Sequence, residues 1–143
     1  MSERPTHANP ESSLTSIKIL LVEDDRDSRA ALYERLTSWG HEALVVSDAL
    51  HAVALLDETN NGIELVILDL DLPRLSGDEF MKSYAHWTKC RTRFLTISGR
   101  LGPDAYLDHA KVAGCLHKPI PVDTLKRMVE EAEEALTAGA KRG

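Results

Sequence analysis

ELVILDLDLP, at residues 64–73, is a short run of branched apolar residues that ends in a carboxylate. A run of this length, rich in Val and Ile and stopped by Pro73, predicts a strand that is buried on both faces of a parallel sheet. Asp69 then lies at the carboxyl end of a central strand, where ligands bind in open α/β sheets. A carboxylate there is costly unless positive charge offsets it, so we expect a cation and a lysine nearby.

Four more apolar runs predict the other strands of the same sheet. They cover residues 17–22, 41–46, 92–97 and 115–117. Apolar residues at helical spacing lie between the strands, and the helix before the last strand is expected to end at Gly114. The final helix has a predicted core face of Val122, Leu125, Met128, Val129, Ala132 and Leu136. Five successive β-α units predict an α/β fold, with one five-stranded parallel sheet and helices on both faces.

The length of the chain, 143 residues, allows one domain with a core of its own. Residues 1–16 are polar and charged, and they predict a flexible N-terminal arm. Residues 17–137 form the predicted domain, and residues 138–143 are expected to be a flexible C-terminal tail.

The charge and the cysteines exclude several classes of protein. A net charge of −6, from 17 basic and 23 acidic residues, argues against a nucleic-acid partner. Cys90 and Cys115 do not have zinc-ligand spacing, so reduced thiols are the simpler interpretation. The first 16 residues lack the apolar core of a signal peptide, and no window approaches the roughly 20 apolar residues of a membrane span. We therefore expect a cytoplasmic protein without membrane insertion.

Polar side chains follow the predicted strands at one edge of the sheet. Glu23 and Asp24 come after the first strand, Asp69 after the third, Ser98 after the fourth and Lys118 after the fifth. Because the strands are parallel, all of these ends lie on the same edge. Three carboxylates there predict an all-oxygen site that suits Mg²⁺.

A carboxylate, a divalent ion, a lysine and a hydroxyl together are suited to handling a phosphoryl group. Asp69 is the expected nucleophile, and its product would be an aspartyl phosphate. Mg²⁺ and Lys118 would neutralise charge on the phosphoryl oxygens, while Ser98 and nearby backbone N–H groups would bind a third oxygen. Gly99 has no side chain to obstruct that approach.

Four ordered motifs carry a resemblance to a known family. They are LVEDD at residues 21–25, LDLDLP at residues 68–73 followed by Gly77, ISG at residues 97–99, and Lys118-Pro119. Over about residues 17–137 the chain resembles the receiver domain of two-component response regulators. The resemblance implies a flavodoxin-like (βα)5 fold with strand order 2-1-3-4-5. This is one of the common strand orders of doubly wound α/β sheets.

The resemblance also implies a role for each acid. Asp69 would accept the phosphoryl group from a histidine kinase or a histidine phosphotransfer protein. Asp24 would hold Mg²⁺ directly, Glu23 through water, and Asp71 through its backbone carbonyl. By the same resemblance Lys118 pairs with the phosphate.

The conformational switch of the family is only partly present in this chain. The resemblance implies that the bond from Lys118 to Pro119 is cis and that Ser98 reorients when the acceptor is modified. Receivers usually carry Tyr or Phe three residues before the lysine, but this chain has Cys115 there. A thiol is too small to fill or vacate an aromatic pocket, so we expect altered output through the fourth helix and the fifth strand.

Asp71 and Arg100 each lie two residues past a key position, Asp69 and Ser98 respectively. We expect their opposite charges to pair across the mouth of the site. Such a pair would restrict attacking water and slow the loss of phosphate.

The function that we predict is that of a single-domain response regulator. It would catalyse only its own phosphorylation and dephosphorylation, and it would signal to a downstream protein as a monomer or weak dimer. A receiver taken from a longer protein is an open alternative, as is a pseudo-receiver that binds a partner without being phosphorylated. A third alternative is a phosphatase of the haloacid-dehalogenase type, since Asp69 and Asp71 form an Asp-x-Asp motif. That family places further acids downstream, whereas here the acid pair lies upstream.

Overall fold

The computed structural model of the chain describes residues 16–58, 61–72, 92–99 and 112–142. The strands in these ranges are β1 (Lys18–Val22), β2 (Glu42–Val46), β3 (Leu65–Asp69), β4 (Arg93–Ser98) and β5 (Val112–His117). The helices are α1 (Arg26–Ser38), α2 (Ala49–Leu56) and α3 (Val122–Arg142). The helix expected after Pro73, residues 102–111 of the next expected helix, residues 1–15 of the N-terminal arm and Gly143 lie outside the described residues.

The five strands form one parallel sheet in the order β2-β1-β3-β4-β5, which confirms the predicted fold class and strand order. From β1 the chain passes outward to β2 and then returns to place β3 on the other side of β1. β4 and β5 extend the sheet further in that direction. The winding therefore reverses between β1 and β3, whose carboxyl ends open into a crevice.

Helices cover both faces of the sheet, and they bury the apolar side chains on each of them. α1 and α3 pack on one face, against a cluster that includes Ile19, Leu21, Leu65, Ile67, Leu95 and Ile97. α2 packs on the other face, where the cluster includes Leu20, Val22, Val66, Leu68 and Phe94. Each such side chain contributes about 1.5–3 kcal/mol on burial. β3 is buried along its whole length, as the run of branched apolar residues predicts.

Strand β5 is longer than the sequence indicates. The expectation that residues 112–114 end a helix is wrong, because all three belong to β5, in which Val112 and Gly114 pair with β4. Gly114 does not follow a helix but lies opposite Leu95 in the sheet. A methyl group on Gly114 would collide with the terminal methyl of Met128 from α3. The end of the Met128 side chain therefore occupies the space that a side chain at position 114 would fill.

The pairing of β4 with β5 contains one irregularity. Phe94 is opposite Val112, but its neighbour Leu95 is opposite Gly114. Ala113 is therefore an extra residue on the β5 side, in the manner of a β-bulge. Beyond it the pairing is regular up to the carboxyl end of both strands.

Helix α3 confirms most of the predicted core face. Its buried side chains are Leu125, Val129, Ala132 and Leu136, and Met128 is half-buried. Val122 is 38% exposed, so its assignment to the core was wrong. It is the first residue of the helix. The helix continues to Arg142, past position 137, while the division of the chain into arm, domain and tail stays a prediction.

No helix in the described ranges combines the length and the apolar character that a bilayer-crossing segment needs.

His41 generates a prediction about pH. It is buried just before β2, and its Nδ1 accepts a hydrogen bond from the backbone N–H of Ile17 at 3.2 Å, so that nitrogen is unprotonated. Burial lowers the pKa of His41, although Glu130 and Glu133 of α3 act in the opposite direction. The unfolded chain therefore binds a proton at a pH where the folded chain does not, and stability falls as the pH drops below about 6.5.

The free energy of unfolding in urea, measured between pH 5 and pH 7.5, tests this expectation. The His41→Asn variant keeps a hydrogen-bond acceptor but cannot titrate, so its stability should decline less than that of the parent at the acidic end. The difference amounts to about 1.4 kcal/mol for each unit by which the pKa is lowered. Parallel pH profiles for the two proteins would contradict the assignment.

Two buried threonines, Thr96 in β4 and Thr92 just before it, allow a matched pair of substitutions. The Thr96 hydroxyl is buried and has no hydrogen-bond partner within the described part of the chain. The Thr92 hydroxyl, which is also buried, donates to the carbonyl of Ile63 at 3.0 Å. Thr96→Val should therefore raise the free energy of unfolding by about 1 kcal/mol, whereas Thr92→Val should lower it by about the same amount. Chemical denaturation of both variants checks the signs, and a loss of stability in Thr96→Val would refute the expectation.

Candidate functional site

Three acids meet where β1 and β3 end. Val22 is opposite Leu68 in the sheet, so Glu23 follows β1 directly beside Asp69 at the end of β3. Glu23 and Asp69 are both 0% exposed, whereas Asp24 is exposed. One carboxylate oxygen from each of the three lies within 4.8 Å of the others. This set of oxygens is of the hard type that divalent cations such as Mg²⁺ or Ca²⁺ prefer.

Lys118 reaches this cluster from the end of β5. Its backbone N–H donates to the carbonyl of Ser98 at 3.0 Å and so continues the pairing of β4 with β5. Its Nζ lies 3.0 Å from Asp69 Oδ2 and 3.6 Å from Glu23 Oε2. The peptide bond between Lys118 and Pro119 is cis, as the resemblance implies. One amine therefore serves two buried carboxylates.

The pKa of Lys118 reflects this position. Partial burial opposes the charge on the amine, but the hydrogen bond to Asp69 and the negative charges of Asp69, Glu23 and Asp71 outweigh it. Together they raise the pKa of Lys118 above its ordinary value, so the amine is positively charged at neutral pH.

Glu23 is the acid whose environment is least favourable to charge. Its Oε2 accepts the backbone N–H of Asp25 at 3.0 Å, but its Oε1 is buried and has no hydrogen-bond partner among the residues described. Burial raises the pKa of Glu23 to about 7, and the charge of Asp69 acts in the same direction, while the Asp25 N–H and Lys118 oppose the shift. A bound cation would satisfy the orphaned oxygen and oppose the shift by stabilising the ionised carboxylate. The donor set therefore fits a metal ion.

Helix α1 holds the acidic loop in place. The Asp25 carboxylate caps the helix by accepting the backbone N–H of Ser28 at 2.8 Å. Arg29, one turn into the helix, donates from Nη1 to the carbonyls of Glu23 at 3.0 Å and Asp24 at 3.3 Å. Arg29 was not among the site residues predicted from the sequence. A basic residue four to six positions after an acidic run at a helix start was the available signal.

Asp71 connects β3 to β4 through its side chain. Its backbone N–H donates to Asp69 Oδ1 at 2.8 Å. Its Oδ2 accepts the backbone N–H of Gly99 at 2.8 Å, and its Oδ1 lies 3.5 Å from the Ser98 hydroxyl, which donates to it. Arg100, the expected partner of Asp71, lies outside the described residues, so that ion pair stays a prediction.

Cys115 is half-buried in β5, directly opposite Thr96 in β4. Its predicted part in a conformational switch, like that of Ser98, is not tested by this placement and stays a prediction. The same holds for the backbone carbonyl of Asp71 as a metal ligand. What the structure does bring together are Glu23, Asp24, Asp69 and Lys118, with Ser98 linked to them through Asp71.

The sequence matches a family model described as the response regulator receiver domain over residues 19–141. Among curated proteins, the transcriptional regulatory protein CpxR of Klebsiella pneumoniae is 34% identical over 99 residues, which are 63% of this chain and 41% of that protein. The uncharacterized transcriptional regulatory protein YrkP of Bacillus subtilis is 32% identical over 87% of this chain and 58% of its own length. The virulence sensor protein BvgS of Bordetella pertussis is 27% identical over 89% of this chain and 11% of its own length. The chain thus spans only part of each of these relatives.

Solved structures share the fold. A response regulator receiver domain from Clostridium thermocellum superposes with a TM-score of 0.76 at 22% identity, covering 85% of this chain and 98% of that one. The chemotaxis response regulator CheY4 of Vibrio cholerae gives a TM-score of 0.69 at 23% identity, covering 82% and 99% respectively. At these identities the similarity concerns the fold alone.

The acid cluster leads to a prediction about divalent cations. A cation bound only by the folded chain raises its stability, by about 2.7 kcal/mol at a hundredfold excess over the dissociation constant. We expect the parent to be stabilised in this way and Asp24→Asn to respond far less. Without a cation, Asp24→Asn should be at least as stable as the parent, because one of three mutually repelling charges is gone.

Thermal unfolding with and without added cation measures both effects. Asp57→Asn is the control, because Asp57 follows α2 at the opposite edge of the sheet and its loss should leave the cation response intact. An equal cation response in parent and Asp24→Asn would place the ion elsewhere.

Proposed function

The chain belongs to the response regulator receiver domain family, and from this assignment we propose that it is a signalling domain controlled by phosphorylation of Asp69. The observation that carries the proposal is the contact of the Lys118 amine with Asp69 Oδ2 at 3.0 Å, within a cluster of carboxylate oxygens at the carboxyl edge of the sheet. A buried carboxylate held beside an amine is a suitable acceptor for a group that brings negative charge with it.

The transfer step needs no general base. Asp69 attacks the phosphorus of a phosphohistidine as the carboxylate, so it has no proton to lose. The new bond joins an Asp69 oxygen to phosphorus, the N–P bond breaks, and its electron pair stays on the imidazole nitrogen. The other ring nitrogen of the phosphohistidine carries a proton, so the products are an acyl phosphate on Asp69 and a neutral histidine on the donor.

The surrounding residues would stabilise the charge of the phosphoryl oxygens. Lys118 lies where it can pair with one of them, and Ser98 and the Gly99 N–H are donors for another. Glu23, Asp24 and Asp69 would hold Mg²⁺, together with the backbone carbonyl of Asp71. When bound, Mg²⁺ would supply further neutralisation of the phosphoryl charge.

The expected partners follow from this chemistry. We propose a histidine kinase or a histidine phosphotransfer protein as the donor, and a protein contact as the output, in the cytoplasm and with the domain acting as a monomer or weak dimer. A net charge of −6 disfavours direct contact with nucleic acid. The family match supports a receiver over the phosphatase alternative.

Phosphorylation by acetyl phosphate and Mg²⁺ tests the proposal through the mass of the intact protein. The parent should gain one phosphoryl group, and Asp69→Asn should gain none because its amide is not a nucleophile at this position. Lys118→Met should be phosphorylated at least about a hundredfold more slowly, since a preorganised charge partner of the phosphoryl group is lost. Lys126→Met is the matched control, because Lys126 is an exposed lysine on α3 that pairs with Glu130.

The same experiment separates the alternatives. No mass gain in the parent, with acetyl phosphate or with a phosphorylated kinase, would make the chain a pseudo-receiver and refute the proposal. Repeated turnover of small phosphate esters would indicate a phosphatase. A mass gain that persists in Asp69→Asn would place the acceptor at another residue.

A further inference from the structure

Asp71 is the acid at this edge of the sheet whose side chain is turned toward β4. Its carboxylate accepts from the Gly99 N–H at 2.8 Å and lies 3.5 Å from the hydroxyl of Ser98. These are the same two donors that the proposed phosphoryl group requires. We propose that the Asp71 carboxylate acts as an internal competitor, which occupies the donors of Ser98 and Gly99 until a phosphoryl group on Asp69 displaces it. This inference rests on the proposed function and adds a means of regulation to the same site.

The Asp71 carboxylate lies inside the site, on the same side of Gly99 as the stem of Lys118. A methyl group built on Gly99 would lie 3.7 Å from Asp71 Oδ2 and 3.8 Å from Cδ of Lys118, both ordinary contact distances. The carboxylate and the stem of the lysine therefore flank the same side of Gly99. The negative charge of Asp71 also contributes to the raised pKa of Lys118. Asp71 thus shares its surroundings with the amine that would pair with the phosphoryl group.

The Asp71 carboxylate and a phosphoryl group compete directly for Ser98 and Gly99, because each of these donors has a single proton to donate. Gly99 has a single N–H, and a bond of 2.8 Å to one acceptor leaves no proton for a second. The hydroxyl of Ser98 also has one proton, although at 3.5 Å its contact with Asp71 is the weaker of the two. A phosphoryl oxygen beside a seated Asp71 would also meet like charge. Asp71 must leave these donors before they can bind phosphate.

The backbone of Asp71 links the phosphoryl acceptor, Asp69, to the donors that the Asp71 side chain occupies. The N–H of Asp71 donates to Asp69 Oδ1 at 2.8 Å, so the residue that holds the donors is also bound to the nucleophile. Loss of the carboxylate contact frees the side chain of Asp71 while its backbone stays tied to Asp69. Modification of Asp69 would therefore be converted into a change of partner for Ser98 and Gly99.

The first test uses the Gly99 amide in the chain without phosphate. A hydrogen bond to a carboxylate shifts the amide proton downfield and slows its exchange with solvent, and both effects should be lost in Asp71→Ala. Asp71→Asn, which keeps the shape and one acceptor oxygen, should show intermediate values. An unchanged Gly99 amide in Asp71→Ala would overturn the inference, provided that the remaining amide spectrum shows the variant to be folded.

The second test measures the affinity for beryllofluoride, a phosphoryl mimic, in the presence of Mg²⁺. Asp71→Ala should bind about tenfold more tightly than the parent, because no charge-assisted hydrogen bond has to be broken first. In a Ser98→Ala background the same substitution should gain less, because one of the two contested donors is missing.

Asp25→Asn is the control for charge alone. Asp25 carries a negative charge near Lys118 and caps α1, and asparagine preserves the cap. Because Asp25 is exposed, its loss should raise the affinity by no more than about twofold. Equal gains in Asp25→Asn and Asp71→Ala, or no gain in Asp71→Ala, would overturn the inference and leave the proposed function standing. Absence of any adduct in the parent and in every variant would overturn the proposed function, and the inference with it.

Discussion

Two buried carboxylates that share one amine are the constraint on which the rest of the site depends. Asp69 and Glu23 are fully buried because each follows a central strand of a sheet covered on both faces. Taking such charges out of water costs several kcal/mol per ion, and Lys118 offsets only part of that cost. Burial is the main reason why the pKa of Glu23 is raised, and the charge of Asp69 adds to it, while Glu23 Oε1 has no hydrogen-bond partner among the described residues. The proposed phosphoryl group, being anionic, would be favoured at this edge only once further positive charge had arrived.

Hydrophobic periodicity predicts the sheet well because its inner strands β1, β3 and β4 are buried on both faces and read as unbroken apolar runs. Periodicity fails where the packing of one element against another, and not the spacing of apolar residues, determines the local structure. Residues 112–114 look like a helix end because they finish in a glycine, yet Gly114 is a strand residue, and the end of the Met128 side chain fills the space beside it. Val122 continues the apolar spacing of α3, yet it is 38% exposed at the first residue of the helix. Neither case is visible without the relative position of β5 and α3.

The residues of the candidate site were predictable from their order, because parallel strands present all their carboxyl ends at one edge. Their individual hydrogen bonds were not, since those depend on the conformation of short loops. The contacts of Arg29 with two carbonyls of the acidic loop follow from the start of α1. The contact of Asp71 with Gly99 follows from the turn after β3. Both residues are charged, and a sequence pattern alone assigns such residues to solvent or to the nearest opposite charge.

The extra residue in β5 has a consequence for the lysine. Ala113 interrupts the pairing with β4 near the start of β5, and from Gly114 onward the register is regular up to the hydrogen bond between Lys118 and Ser98. Because side chains alternate along a strand, a one-residue slip that reached Lys118 would turn its amine to the other face. The extra residue Ala113 takes up a one-residue slip near the start of β5, so the pairing beyond it is unchanged. A change of pairing confined to the start of β5 would therefore leave the amine on the same face of the sheet.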